Sequence, residues 1–361
     1  MKSWDVLIVG GGIIGLSLSI ELRKRGAGVL IVERGEPGRE ASHAAGGMLV
    51  DCPLETKAAL LPLATASARM YPEFAYELEV ESGMKVDLRD QGAIVIPNAE
   101  HAREWEKALS EHALRAARLA QLEPALAAPN RPAFFLKERS VDPRALTAAA
   151  LKTAKRRGVD FSSSDAVSSV NLAEGRVTGV TTVKTTFHAA KVVNCAGAWS
   201  GQIAPHAFPV RPVKGQMLCL ASPSRELLKH VIRSPEVYLI PRSDGRILAG
   251  ATVEEAGFDK RTDPATMQRF QRAAIALVPE LRDAKILEDW AGLRPGTADA
   301  LPILGATTTP GYYVATGHFR DGILLAPITA GVMADVITAK EPACDLAAFS
   351  PSRFSSPEGA A

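Results

Sequence analysis

At 361 residues, 47% hydrophobic and 23% charged, the chain is longer than one hydrophobic core usually supports, so two globular domains are expected. Lys and Arg number 42 against 40 Asp and Glu, a formal net charge of +2, and the longest basic run is Lys155-Arg156-Arg157; this argues against a nucleic-acid partner. Cys52, Cys195, Cys219 and Cys344 lie far apart with no CxxC pair, so neither a metal site nor a disulfide framework is expected, and a reducing cytoplasm fits best.

The apolar N-terminus is interrupted by Asp5 and three consecutive glycines, unlike a signal peptide. Asp5-Val6-Leu7-Ile8-Val9 reads as a buried strand running into Gly10-Gly11-Gly12-Ile13-Ile14-Gly15. Gly10, Gly12 and Gly15 satisfy GxGxxG. The first permits a tight turn, the second lets a pyrophosphate approach the backbone, and the third lets helix and strand pack closely. An amphipathic helix follows to about Arg25, with Gly26 as its stop, and its N-terminus offers free N–H groups to phosphates. Val29 to Val32 is the next strand. It ends at Glu33, 23 residues beyond Gly10, placed to accept hydrogen bonds from a ribose diol and to disfavour a 2′-phosphate. Strand, glycines, helix, strand and acid in that order indicate a dinucleotide site. Beyond them, Ala41-Ser42-His43-Ala44-Ala45-Gly46-Gly47-Met48 has almost no bulky side chain before Met48, so its amides can approach a flat ligand. A nicotinamide enzyme has no need of that run at this point, whereas it resembles the segment that passes beside the flavin in amino-acid oxidases, a resemblance that implies FAD rather than NAD.

Segment 85–97 carries strand signals with a turn at Arg89-Asp90-Gln91-Gly92, and Glu100 to Leu126 reads as helix. Asp142 as N-cap and Pro143 at the first helical position open a helix to about Arg157, stopped by Gly158. Strands are expected at 167–170, 177–183 and from Lys191 to Asn194, the last ending on small residues near the nucleotide. Segment 210–253 reads as further strands, turning at Arg242-Ser243-Asp244-Gly245, where Arg242 and Arg246 are taken as surface ion-pair residues. Tyr312 to Ala315 is a strand. Gly322 to Ala339 contains Pro327 and Asp335 and reads as a buried helix, with no integral membrane association. Ser350 to Ala361 reads as a disordered, low-complexity end. The expected fold class is α/β. A three-layer, Rossmann-like FAD-binding domain is drawn from residues 1–80, 140–205 and 288–361. A second, α+β domain with a mixed, largely antiparallel sheet is drawn from 81–139 and 206–287.

Two C-terminal motifs narrow the reading: Trp290-Ala291-Gly292-Leu293-Arg294-Pro295-Gly296-Thr297 and Thr316-Gly317-His318-Phe319-Arg320-Asp321-Gly322. With the fingerprint, the Ala44 to Met48 run, Tyr238 with Pro241-Arg242, and Gly250-Ala251-Thr252, they resemble the glycine oxidase branch of the D-amino-acid oxidase superfamily over nearly the whole chain. The resemblance implies non-covalent FAD, since no cysteine accompanies the 317–320 turn. It implies substrate binding by Arg294, whose planar guanidinium would grip a carboxylate, by Tyr238, and by Arg320 and Met48. Cofactor contacts are implied at Gly10, Gly12, Ile13, Ile14, Gly15, Glu33 and Arg34. They continue at Ala41, Ser42, Gly46, Gly47, Met48, Val167 and Gly197. The C-terminal turn adds His318, Phe319, Arg320, Asp321, Gly322, Ile323 and Leu324, with a helix from near Gly322 aiming its N-terminus at the flavin. His318 is expected to contribute backbone rather than acid–base catalysis.

The implied activity is oxidative deamination of glycine or another small amine. Hydride passes from Cα to flavin N5, O2 becomes H2O2, and the imine becomes a 2-oxo acid plus ammonia, or supplies iminoglycine to thiamine thiazole synthesis. Neither a metal-ligand spacing nor a Ser/His/Asp or Cys/His constellation is present, and flavin chemistry requires none. Glu236 and Val253 depart from residues the family can carry and are expected near the pocket. A secondary-amine oxidase, a D-amino-acid dehydrogenase and a catalytically silent flavin-binding subunit stand as alternatives, and homo-oligomerisation is left open.

Overall fold

The computed structural model describes residues 3–127 and 131–354. Val6–Val9 is buried throughout because its side chains find apolar partners on both faces. Val6 and Ile8 pack among helices, while Leu7 and Val9 join Val170, Val177, Val180 and Tyr312 on the opposite side. Val29–Val32 pairs with it in parallel. With Val192–Asn194, Tyr312–Thr316 and Asp160–Ser162 they form a six-stranded sheet, closed at one edge by antiparallel Ile303–Ala306. Helices Ile13–Lys24, Leu61–Ser82, Pro143–Arg156 and Ala326–Ile337 contribute the core against one face. A three-stranded antiparallel sheet, 167–173, 176–182 and 186–188, covers the other. This is the expected three-layer arrangement.

Local chemistry sets the helix ends. The fingerprint helix stops at Arg25, followed by Gly26 at φ +84°. Asp142 caps the 143–156 helix by accepting from the Arg144 and Ala145 N–H groups at 2.9 and 3.2 Å. Leu61–Ser82 is an element that no sequence signal announced, and Pro72 inside it reads as a breaker. Pro72 cannot donate to the Ala68 carbonyl, and Arg139 Nη1 donates there instead, at 3.3 Å.

The second sheet has eight strands in the order 286–296, 211–221, 246–250, 238–241, 231–233, 93–95, 133–136 and 113–114. Only the 231–233 and 93–95 pair is parallel. One face buries Leu218, Leu220, Ile247 and Ala249 against Met267, Phe270 and Ala274 of helix Pro264–Leu277. Alternation turns Met217, Ile240 and Leu248 to the other face, with Tyr238, Met48 and Trp290 beside them. That second face adjoins the functional cavity.

Four sequence expectations are corrected. Glu100 to Leu126 is not one helix: helices Ala102–Ala108 and Ala116–Leu122 flank a 3₁₀ turn and the edge strand Ala113–Leu114. The 85–97 strand shrinks to Ala93–Val95, because the segment before it meets Ser140 through a single bridge at Arg89. The C-terminal helix begins at Ala326, after turns over 322–325, because Pro327 suits the first helical turn. Of the tail, Pro351–Phe354 forms a 3₁₀ turn, with Arg353 held by Asp299 at 2.8 Å, and residues 355–361 lie outside the described residues.

Candidate active site

Both sheets contribute to one continuous cavity of about 960 Å³, at the top of the usual range for ligand pockets. One end is built by the glycine fingerprint. Gly10, at φ +108°, lies so close to the neighbouring strand that a Cβ there would sit 2.4 Å from the Cys195 carbonyl oxygen. Gly15 does not line the cavity. A Cβ on it would fall 2.1 Å from the Gly10 carbonyl oxygen, so it serves the close packing of helix on strand. Gly12, Ile13 and Ile14 line the wall, and Ser42 Oγ accepts from the Ile13 N–H at 2.9 Å, tying the small-residue segment to the helix N-terminus. Glu33 is buried; Oε2 accepts from Gly11 N–H at 2.7 Å and Oε1 from Gly35 N–H at 2.9 Å. Each oxygen keeps acceptor capacity for a further hydroxyl. Arg34 lies 4.0 Å over the Trp199 ring, and Ala41, Val167 and Gly197 complete this end. An acid already fixed by two amides, beside a backbone cradle without bulky side chains, fits an adenosine diphosphate moiety.

The other end is polar on one side. Arg294 comes from strand 286–296, where its guanidinium lies on Gly215: a Cβ there would meet Nη2 at 2.2 Å and Nη1 at 2.3 Å. Nη1 donates to the Thr252 carbonyl at 2.9 Å and the Lys214 carbonyl at 3.3 Å. No ion pair to Arg294 is found among the described residues. Burial holds its pKa below the usual arginine range. Tyr238 stands beside it, its hydroxyl 3.1 Å from Met217 Sδ. Burial pushes the tyrosine pKa up, while Arg294 and Arg320 pull it down. Arg320 is exposed at the cavity surface, 5.5 Å over the Phe319 ring. Two cations and a phenol thus converge on one region, and among the described residues neither cation has an ion-pair partner, an arrangement that attracts a carboxylate.

Between the two ends run two backbone segments. Gly46, Gly47 and Met48 lie on one, Met48 also packing with the Met217 and Ile240 cluster. His318, Phe319, Asp321, Gly322 and Ile323 lie on the other. Leu324 does not reach the cavity: its side chain is in the core, and its carbonyl accepts from Ser67 Oγ at 2.6 Å while the Ile323 carbonyl accepts from Tyr71 at 2.5 Å. His318 is buried with Nε2 3.1 Å from Thr329 Oγ1, and burial pushes its pKa down to about 3. It is neutral at working pH. Asp321 is pushed up to about 6 by burial, with Arg320 opposing.

Several expectations move. Glu236 and Val253 stay near the pocket but do not line it: Glu236 accepts from Oγ of the lining residue Ser234 at 2.9 Å, and Val253 is exposed next to Thr252, whose carbonyl holds Arg294. Arg242 is not a surface residue: it is 1% exposed, because strand 238–241 turns it inward with Tyr238 and Ile240. Arg246 does form ion pairs, with Asp142 and Asp244, each at 2.7 Å. The sequence reading missed Glu55, Arg233 and Met217 in the lining; Arg233 pairs with Glu55 at 2.9 Å and Glu138 at 2.5 Å. No local pattern marks them, since tertiary folding alone brings residues 55, 138 and 233 together. Among the described residues, no group of three or more His, Cys, Asp or Glu is placed to hold a metal ion, and no helix is long and apolar enough to cross a membrane.

Residues 5–336 match the family described as FAD dependent oxidoreductase. The bifunctional protein ThiO/ThiG of Nostoc sp. is 37% identical over 345 residues, covering 92% of this chain and 52% of that protein. The chain thus spans about half the length of the bifunctional relatives it matches. The glycine oxidase of Pseudomonas aeruginosa is 33% identical over 365 residues, 96% of this chain and 98% of that one. The crystal structure of glycine oxidase from Geobacillus kaustophilus superposes with a TM-score of 0.93 at 32% identity, covering 98% of this chain and 100% of that one.

Proposed function

Because this chain belongs to the FAD dependent oxidoreductase family, we propose that it oxidises glycine, or a comparably small amino acid, at the carbon that bears nitrogen. The observation that carries the reading is Arg294, a half-buried guanidinium with no ion-pair partner among the described residues, facing the same cavity as the fingerprint. A substrate carboxylate completes it. Nη1 is committed to two carbonyls, which fixes the plane of the fork and leaves Nη2 and Nε for the ligand. Tyr238 donates its hydroxyl to the same carboxylate, giving up a weak contact with sulfur. Arg294 and Arg320 also disfavour a third positive charge, so the bound amine is driven towards its neutral form, the form that can lose hydride. Bound FAD supplies hydride acceptance at N5, and O2 is the reading's terminal acceptor.

The likeness to glycine oxidases and to ThiO/ThiG supports the choice of glycine and a role in supplying iminoglycine for thiamine thiazole synthesis. A cytoplasmic location belongs to the same reading. We assign two discontinuous domains, with the last boundary moved past Gly296, because strand 286–296 pairs along its length with 211–221. Anaerobic mixing of the holoprotein with glycine, sarcosine, D-alanine and D-proline tests the proposal. Glycine or sarcosine should bleach the flavin fastest, and air should restore the colour with peroxide release. Faster bleaching by a bulky D-amino acid overturns the substrate assignment, and slow return of colour in air overturns O2 as acceptor.

A further inference from the structure

Three long side chains converge on the backbone of the small-residue segment from outside the cavity. Arg144 Nε donates to the His43 carbonyl at 3.2 Å, Trp290 Nε1 to the Ala44 carbonyl at 3.0 Å, and Arg242 Nη2 to the Gly46 carbonyl at 2.5 Å. They come from three separate elements, helix 143–156, strand 286–296 and the end of strand 238–241. Arg144 is itself held, by Glu288 and by stacking 4.6 Å over the Trp290 ring. Arg242 is the least ordinary of the three. Its Nε and Nη1 are buried with no partner among the described residues, so the cation is retained at a desolvation cost that a surface arginine does not incur. Strand alternation accounts for the geometry: Tyr238 reaches the cavity, Ile240 lies where a Cβ on Gly46 would touch it at 2.9 Å, and Arg242 takes the Gly46 carbonyl.

We propose that Arg242, with Trp290 and Arg144, is a positioning residue that sets how strongly this segment's amides engage the isoalloxazine end of FAD. The Gly46–Gly47 peptide is trans, so the Gly47 N–H points opposite to the carbonyl that Arg242 holds. A cation on the carbonyl oxygen polarises the peptide and makes that N–H a stronger donor. Gly46 and Gly47 both line the cavity, and a Cβ on Gly46 would lie 3.6 Å from the Tyr238 hydroxyl, which places this peptide at the ring end rather than the nucleotide end. A donor there favours electron density arriving on the ring. The inference rests on FAD as cofactor and on no particular amine.

The test uses Arg242→Met, Arg242→Lys and Trp290→Phe. FAD affinity of the apoprotein is read by fluorescence titration, and sulfite affinity of the holoprotein by loss of the visible flavin band. Arg242→Met should weaken FAD and sulfite binding by about ten- to a hundredfold, the equivalent of one charge-assisted hydrogen bond. Arg242→Lys should restore part of both, and Trp290→Phe, which keeps the ring but not the donor, should weaken FAD binding by about tenfold. Where Arg242→Met does not fold, the other two variants decide. Lower thermal stability with unchanged FAD and sulfite affinity in Arg242→Lys and Trp290→Phe makes the brace merely structural and overturns the proposal. Substrate preference plays no part in either readout, so failure here is distinct from failure of the glycine assignment.

Discussion

Replacing Arg294 by alanine removes the guanidinium that the fold lays on Gly215 at the proposed substrate end of the cavity. Truncating one partner of a desolvated, hydrogen-bonded charge pair costs about 2–5 kcal/mol. Arg320 is close enough to act on Arg294 electrostatically and retains some attraction for the carboxylate, which places the expected loss in the lower part of that range. At about 2–3.5 kcal/mol, kcat/KM for glycine should fall roughly 30- to 400-fold. A second cost is separate. The Thr252 carbonyl loses its Arg294 donor, while the Lys214 carbonyl keeps the Glu254 N–H at 3.0 Å, and the lost contact lowers stability by about 1–3 kcal/mol without touching the chemistry. Arg294→Lys should keep a contact to Thr252 and recover part of the rate, because an ammonium preserves charge but not the planar fork. The assay is steady-state oxygen consumption, with FAD content and melting temperature measured on the same preparation. An amine lacking a carboxylate should be oxidised at the same rate by wild type and Arg294→Ala. Near-normal kcat/KM for glycine in Arg294→Ala would falsify the clamp and move it to Arg320, while loss of FAD or fold would make Arg294 structural.

Other consequences are equally direct. Glu33→Gln should fold but bind FAD about ten- to a hundredfold more weakly, since an amide NH2 cannot accept from both the Gly11 and Gly35 amides; equal affinity in an apoprotein titration refutes the ribose role. Gly15→Ala should be isolated largely without flavin, because its Cβ collides with the Gly10 carbonyl; a normally yellow protein contradicts the packing argument. His318 has a folded pKa of about 3, below its unfolded value, so the unfolded state binds the extra proton and stability is lost as pH falls below about 6.5. Between pH 7.5 and 5 this group alone should remove about 2 kcal/mol, and His318→Gln should lose correspondingly less over the same interval in urea unfolding. Parallel pH curves for the two proteins exclude His318 as the source.

The nucleotide half of the site was legible in the sequence because its determinants are local. A strand, three spaced glycines, a helix and an acid occupy one continuous stretch, and the backbone geometry they require is written in residue type: no Cβ fits at Gly10 or Gly15. Asp142 likewise announced its helix, since capping is decided within three residues. Helix 61–82 was not legible, because the residue that makes Pro72 tolerable, Arg139, comes from a distant part of the chain. Glu55, Arg233 and Met217 were hidden for the same reason. Arg294 and Arg242 draw the line most clearly. Motif context alone named Arg294, but not that it has no ion-pair partner among the described residues, which follows from strand 286–296 laying its guanidinium on Gly215. Arg242 looked like a turn residue on the surface, and local sequence supports that choice. Only the packing of strand 238–241 against the small-residue segment buries it, since a side chain's solvent exposure depends on which distant element covers it.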